Sequence, residues 1–187
     1  MDVSSAFMVA MLFIVILSLG LANILTALAG IADRRSKLQV DRIHLSWTIL
    51  LLLIFFDLFW HTVDLFGVET WRFRGFVYFA TGPILAFLAS SMIMPSETEE
   101  GPADPRASYF AMSPQFFLIL AALQVWILGA DLVLGRGFVR AGWINVAGVA
   151  LALVLAASRK VGVHVGGTVA AWALVLLTVV LRGMGVI

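Results

Sequence analysis

The 187-residue chain has no cysteine. Disulfides, iron–sulfur clusters, thiolate zinc centres and thiol redox chemistry are thereby excluded. Charge is scarce too: Asp, Glu, Lys and Arg make up 12% of the residues, about half the share of an ordinary soluble domain. A net charge of +1 provides no basic surface, so no nucleic-acid partner is expected. Lysine occurs only as Lys37 and Lys160, both between apolar runs, so no lysine inside a helix is available for a retinal Schiff base. No helix carries an arginine ladder of the voltage-sensor kind. A TVGYG-type filter, a His-Glu-x-x-His zinc motif and a glycine-rich phosphate loop are all missing. Neither Asn23 nor Asn145 begins a glycosylation sequon, and a bacterial inner membrane is the simplest address.

What the chain has is apolar length. Hydrophobic residues account for 62% of it and the mean hydropathy is +1.06, which leaves too little polar surface for a soluble domain. Crossing a hydrocarbon core takes about 20 apolar residues. Segments over about 6–29, 45–66, 75–94, 114–134, 141–157 and 163–181 meet or approach that length, the fifth being short. They predict an all-α polytopic membrane protein, one domain of six transmembrane helices. Met1-Asp2-Val3-Ser4-Ser5 lacks a positive n-region, so the first run reads as a permanent helix. Ser113-Pro114 reads as an N-cap followed by proline at the first helical position, and starts the fourth helix. The stretch 95–112 before it is acidic and Pro/Gly-rich and is expected to be a cytoplasmic loop. Arg34, Arg35, Lys37 and Arg42 in the first loop, with Arg159 and Lys160 in the last, place those loops inside and both termini outside.

Trp47, Trp71, Trp143 and Tyr109 fall near helix ends and read as interface anchors. Gly82, Ala86 and Ser90 form one small-residue stripe, and Gly148, Ala152 and Ala156 another, which predicts close approach of helix backbones. Pro83 predicts a kink, freeing the Phe79 carbonyl either for ordinary packing or to line a polar path. Trp60, Arg74, Gly82 and Ala86 recur at one offset as Trp126, Arg140, Gly148 and Ala152, a pattern that suggests two related hairpins.

Chemistry concentrates on the second helix. Asp57, His61 and Asp64 are spaced i, i+4, i+7 and share one face, with Asp57 near mid-span. A carboxylate there costs at least about 2.5–3.5 kcal/mol, which neutralisation, a partner or a wet cavity must offset. Gln124 and Asp131 sit at matching depths on the fourth helix, so adjacency of the two helices would bring Asp57 to Gln124 and Asp64 to Asp131. The half predicted to lie outside reads as the polar half, and Asn23 is the main buried polar residue of the other. Three roles compete for the stripe: a proton or cation relay, a divalent-metal site on Asp57, His61 and Asp64, and a polar network that only holds helices together. His44 and His164, at helix ends, could hold a b-type haem between them but read better as interfacial histidines without a special role. The functional expectation is a small proton or cation channel or transporter. No resident cofactor beyond that metal is expected, nor an enzyme, and the working unit is a homo-oligomer. An accessory or assembly subunit of a larger membrane complex is the alternative, and a metal-dependent membrane enzyme the third.

Overall fold

In the computed structural model the segments expected to be helical are helical over their described residues, the second ending in a 3₁₀ turn. The structure describes residues 5–33, 42–68, 71–93, 105–133 and 142–184; the side chains of 32, 33, 64, 67, 105, 131, 132, 182 and 183 lie outside the description. The helices are α1 (Ser5–Asp33), α2 (Arg42–His61), α3 (Phe73–Ile93), α4 (Pro105–Val133), α5 (Gly142–Ala157) and α6 (Val161–Gly183), and a 3₁₀ turn, Thr62–Gly67, continues α2. Among the described residues there is no strand. In a bilayer only helices and closed barrels satisfy their own backbone groups, so continuous apolar sequence and helix go together.

Five of the helices are long and apolar enough to cross a membrane, which marks the chain as an integral membrane protein. With 16 residues, α5 rises only about 24 Å at 1.5 Å per residue, short of a core about 30 Å thick. Apolar residues cover the outside as well as the inside. Phe7, Met8, Val15 and Leu19 on α1 and Val169, Val179 and Val180 on α6 are exposed, an arrangement suited to lipid rather than water.

The helices close into a ring in the order α1, α3, α4, α5, α6, α2 and back to α1. Its centre is filled by side chains from helices that are not neighbours in the ring. Phe13 of α1 meets Trp126 of α4, and Trp47 of α2 stands edge-on to Phe117 of α4 at 4.8 Å. Leu17, Phe55, Phe116 and Leu123 are wholly or almost wholly buried among them. Two ends of the bundle can be told apart: the turn end, where Ser158–Lys160 joins α5 to α6, and the 3₁₀ end, where α2 gives way to Thr62–Gly67.

The small residues serve as sockets for large side chains. A Cβ on Gly82 would collide with the Trp126 ring. That ring donates from Nε1 to the Tyr78 carbonyl at 2.8 Å, and the Tyr78 hydroxyl donates back to the Trp126 carbonyl at 2.7 Å. The paired bonds dock α4 against α3 near Pro83, with Phe79 buried beside them. The suggested repeat does not persist in packing: Trp126 is buried, whereas its counterpart Trp60 is 75% exposed.

The largest departure from expectation is α4, which begins at Pro105 and runs through Pro114. Part of the expected loop, 105–112, is therefore helix, and Ser113 is a buried helical residue rather than an N-cap. A proline inside a helix removes the N–H that would bond the carbonyl four residues back, here that of Phe110. That carbonyl finds two other donors, Ser113 Oγ at 3.3 Å and Arg159 from the α5–α6 turn at 3.1 Å. Tertiary contact thus makes good the missing bond, and the helix continues.

Candidate functional site

The stripe on α2 is formed in part. Asp57 and His61 lie one turn apart on the last stretch of α2, with Asp57 Oδ2 and His61 Nε2 3.7 Å from each other. Their side chains are 35% and 39% exposed, on the outside of the ring. Phe56, Trp60 and Val63, which alternate with them along the chain, are exposed as well. Beneath the pair the core side is apolar: Leu51, Phe55, Leu58 and Leu65 are buried. The hydroxyl of Thr62 donates back to the Leu58 carbonyl at 3.2 Å where the α-helix tightens into the 3₁₀ turn. Asp57 is 15 residues beyond Arg42, a rise of about 22 Å at 1.5 Å per residue. That puts it past the middle of a core about 30 Å thick, toward the 3₁₀ end.

The partners expected on α4 stand elsewhere. In the ring α2 and α4 are opposite walls, and their rings meet only toward the turn end, through Trp47, Phe116 and Phe117. Gln124 faces α5, so close that a Cβ on Gly148 would come within 2.9 Å of its Nε2. Among the described residues no hydrogen bond joins Gln124 to Asp57. The expected meeting fails because α1 and α6, rather than α4, flank α2. The Asp64 and Asp131 side chains lie outside the described residues, and so does their expected approach to each other. As for the expected metal set, Asp57 and His61 are together; among the described residues no group of three or more His, Asp or Glu is gathered as a metal site.

A second polar cluster, unforeseen in the sequence, lies at the turn end. His164 of α6 is fully buried. One ring nitrogen, Nε2, is 2.9 Å from the Ser158 carbonyl oxygen, and the other, Nδ1, is 2.8 Å from the Tyr109 hydroxyl. A carbonyl can only accept, so Nε2 carries the hydrogen; in the neutral ring Nδ1 then accepts from Tyr109. Phe110 stacks edge-on to the imidazole at 4.9 Å. One turn further along α6, Thr168 donates to the His164 carbonyl at 2.7 Å and accepts from Trp47 Nε1 at 3.0 Å.

This cluster corrects several expectations. Trp47 and Tyr109 are buried hydrogen-bonding residues, not interface anchors, although Trp143 is exposed as an anchor should be. His164 is no interfacial bystander, and with both ring nitrogens engaged it offers no position to a haem iron. Of the buried polar side chains described, Thr48, Ser90, Ser113, His164 and Thr168 stand toward the turn end and Thr62 toward the 3₁₀ end, while Asp64, Asp131, Arg136 and Arg140, on which the expected polar half rested, lie outside the described side chains. Asn23 is engaged as a helix fastener, donating to Ser90 Oγ at 3.2 Å and to Ser91 Oγ at 3.3 Å. The indole Nε1 of Trp71 is buried without a partner among the described residues.

The two polar groups divide by accessibility. The turn-end cluster is closed, each donor matched to an acceptor, and suits a structural role. The Asp57–His61 pair is partly exposed and placed within a span. No family model, no curated protein and no solved structure matches this chain, so the site rests on its own chemistry.

Proposed function

We propose that this chain is a small proton- or cation-handling membrane protein whose working site is the Asp57–His61 pair, used where copies of the chain meet. The observation that carries the reading is a carboxylate and an imidazole 3.7 Å apart on the outer face of a membrane helix. A carboxylate at the centre of a span costs about 2.5–3.5 kcal/mol on insertion scales, and at the position of Asp57 a passing proton or bound cation offsets its share of that cost. Carboxylate and imidazole side by side can share or relay a proton, and both are ligands for cations. The ring centre is filled, so the path of whatever is handled runs along the face of α2, where a neighbouring copy supplies the other wall. Both termini outside, in a bacterial inner membrane, completes the proposal, supported by Arg42, Arg159 and Lys160 at the turn end.

The filled core also favours a second reading, an accessory subunit whose pair docks a different protein. Liposomes holding the purified protein, a pH-sensitive dye and an imposed potential separate the two. Flux in the wild type that disappears in Asp57→Asn, with helical content unchanged, supports the first. Absence of proton flux in both removes proton conduction, and absence of flux with a cation-sensitive dye as well leaves the accessory role.

A further inference from the structure

Three helices loosen together toward the 3₁₀ end. On α6 one face runs through His164, Thr168 and Ala171, all buried, and continues through Val175 and Thr178, which are only half-buried. On α4 Phe117, Leu120 and Ala121 are buried, and Gln124 and Leu128, next on that face, are half-buried. On α5 Ala152 is buried, whereas Gly148 and Asn145, one and two turns nearer the 3₁₀ end, are half-buried. Toward the turn end the same faces close on each other: the Phe117 and His164 rings are 5.6 Å apart, and a Cβ on Gly167 would collide with Leu155. The half-buried positions do not belong to the lipid face, which Val125 and Val146, the residues following Gln124 and Asn145, occupy.

Two carboxamides lie where the faces part. Gln124 stands against Gly148, and Asn145 is one turn from that glycine. Neither side chain hydrogen-bonds another described residue. Their polar atoms are not sealed off either: among the described residues the one fully enclosed side-chain nitrogen or oxygen without a partner is Trp71 Nε1. Each carboxamide brings two N–H donors and an acceptor oxygen, and leaving such a group unmatched inside a protein costs about 1–3 kcal/mol. Water removes that cost where a site is polar and has several partners to offer. Thr178 adds one, since its hydroxyl donates to the Leu174 carbonyl at 2.9 Å and can still accept. We propose that α4, α5 and α6 enclose a blind recess that opens at the 3₁₀ end and holds ordered water on Gln124 and Asn145. Phe117, His164 and Leu155 form its floor, so it carries water into the span without crossing it. Its described lining is uncharged, which suits a neutral hydrogen-bonding molecule rather than an ion.

The chain contains no cysteine, so a single introduced thiol reports its own surroundings. A thiol reacts as its thiolate, which forms in water and not in lipid or a dry core. Gln124→Cys, Asn145→Cys, Val125→Cys, Val146→Cys and Leu120→Cys are treated with a charged, membrane-impermeant methanethiosulfonate in right-side-out and in inverted membrane vesicles. Gln124→Cys and Asn145→Cys should react from one side only, at least about tenfold faster than the other three. No reaction at either, a rate equal to that of Val125→Cys, or reaction from both sides overturns the recess. Hydroxyl radicals generated from water test the wild type, where no substitution can disturb folding. Leu128 and Val175 should be oxidised and Leu120 and Val125 spared; oxidation of Val125 to the same extent, or none at Leu128 and Val175, likewise overturns it. Neither measurement involves Asp57, His61 or flux, so the recess and the proposed function stand or fall separately.

Discussion

His164 and Asp57 are both ionisable residues in membrane helices, but His164 is fully buried and the Asp57 side chain is 35% exposed. Every polar atom of the His164 ring has a partner inside the protein, and unmaking such a contact strands the atom that remains. Tyr109→Phe leaves Nδ1 without a donor; it should lower stability in detergent by about 1–2 kcal/mol, read as a lower Tm, and leave any flux in liposomes intact. His164→Ala should cost more, since it also opens a cavity among Phe110, Phe117 and Tyr109. Asp57→Asn should show the converse: no loss of Tm, because it removes a half-exposed carboxylate from the span, and loss of flux. A drop in Tm for Asp57→Asn matching that of Tyr109→Phe would make the α2 pair a helix fastener instead. The α2 pair was legible in the sequence because i, i+4 arithmetic needs only one helix. The His164 cluster was not, because its partners come from α4 and α2, and Tyr109 lies on residues that read as loop.

That misreading has a cause at the scale of the helix. Asp104-Pro105 and Ser113-Pro114 carry the same start signal, a capping residue followed by proline, and local chemistry alone does not rank them. The decision is made by the α5–α6 turn. There Arg159 donates to the Phe110 carbonyl that Pro114 leaves without its N–H, so the helix can begin at the earlier proline and pass through the later one. Arg159→Ala should loosen this junction, with faster amide hydrogen exchange across Tyr109–Ser113 and Ser158–His164, and Arg159→Lys should recover part of the protection. Unchanged exchange in Arg159→Ala would mean that Ser113 alone suffices. Most of the other boundaries were legible because length and hydropathy dictate them. Helix neighbours were not: Gly82 marks a close approach, but nothing in its surroundings says that the approaching group is the Trp126 ring. Gly82→Ala should displace that ring, disturb the paired Tyr78–Trp126 hydrogen bonds and lower Tm; a Tm equal to wild type would show that α3 and α4 can slide apart at little cost.

For the whole molecule the decisive property is that the ring has no open middle. Trp47, Phe55, Phe116, Phe117 and Leu123 occupy the place a pore would need, and protein interiors packed at this density do not wet without rearrangement. Among the described residues, the Asp57–His61 pair lies partly exposed on α2. In a single copy the Asp57 and His61 side chains are 35% and 39% exposed within a membrane helix, where lipid is an unfavourable neighbour for charge. Two copies with their α2 faces together would turn each pair toward the other and bury the exposed rim of Phe56, Trp60 and Val63. Activity should therefore depend on encounter between chains. In liposomes loaded over a range of protein-to-lipid ratios, flux per protein molecule should fall as the mean occupancy drops to one chain per vesicle, and total flux should rise more steeply than linearly with density. A flux per molecule that stays level through single occupancy would place the path inside one chain, and the packed centre would then have to open to provide it.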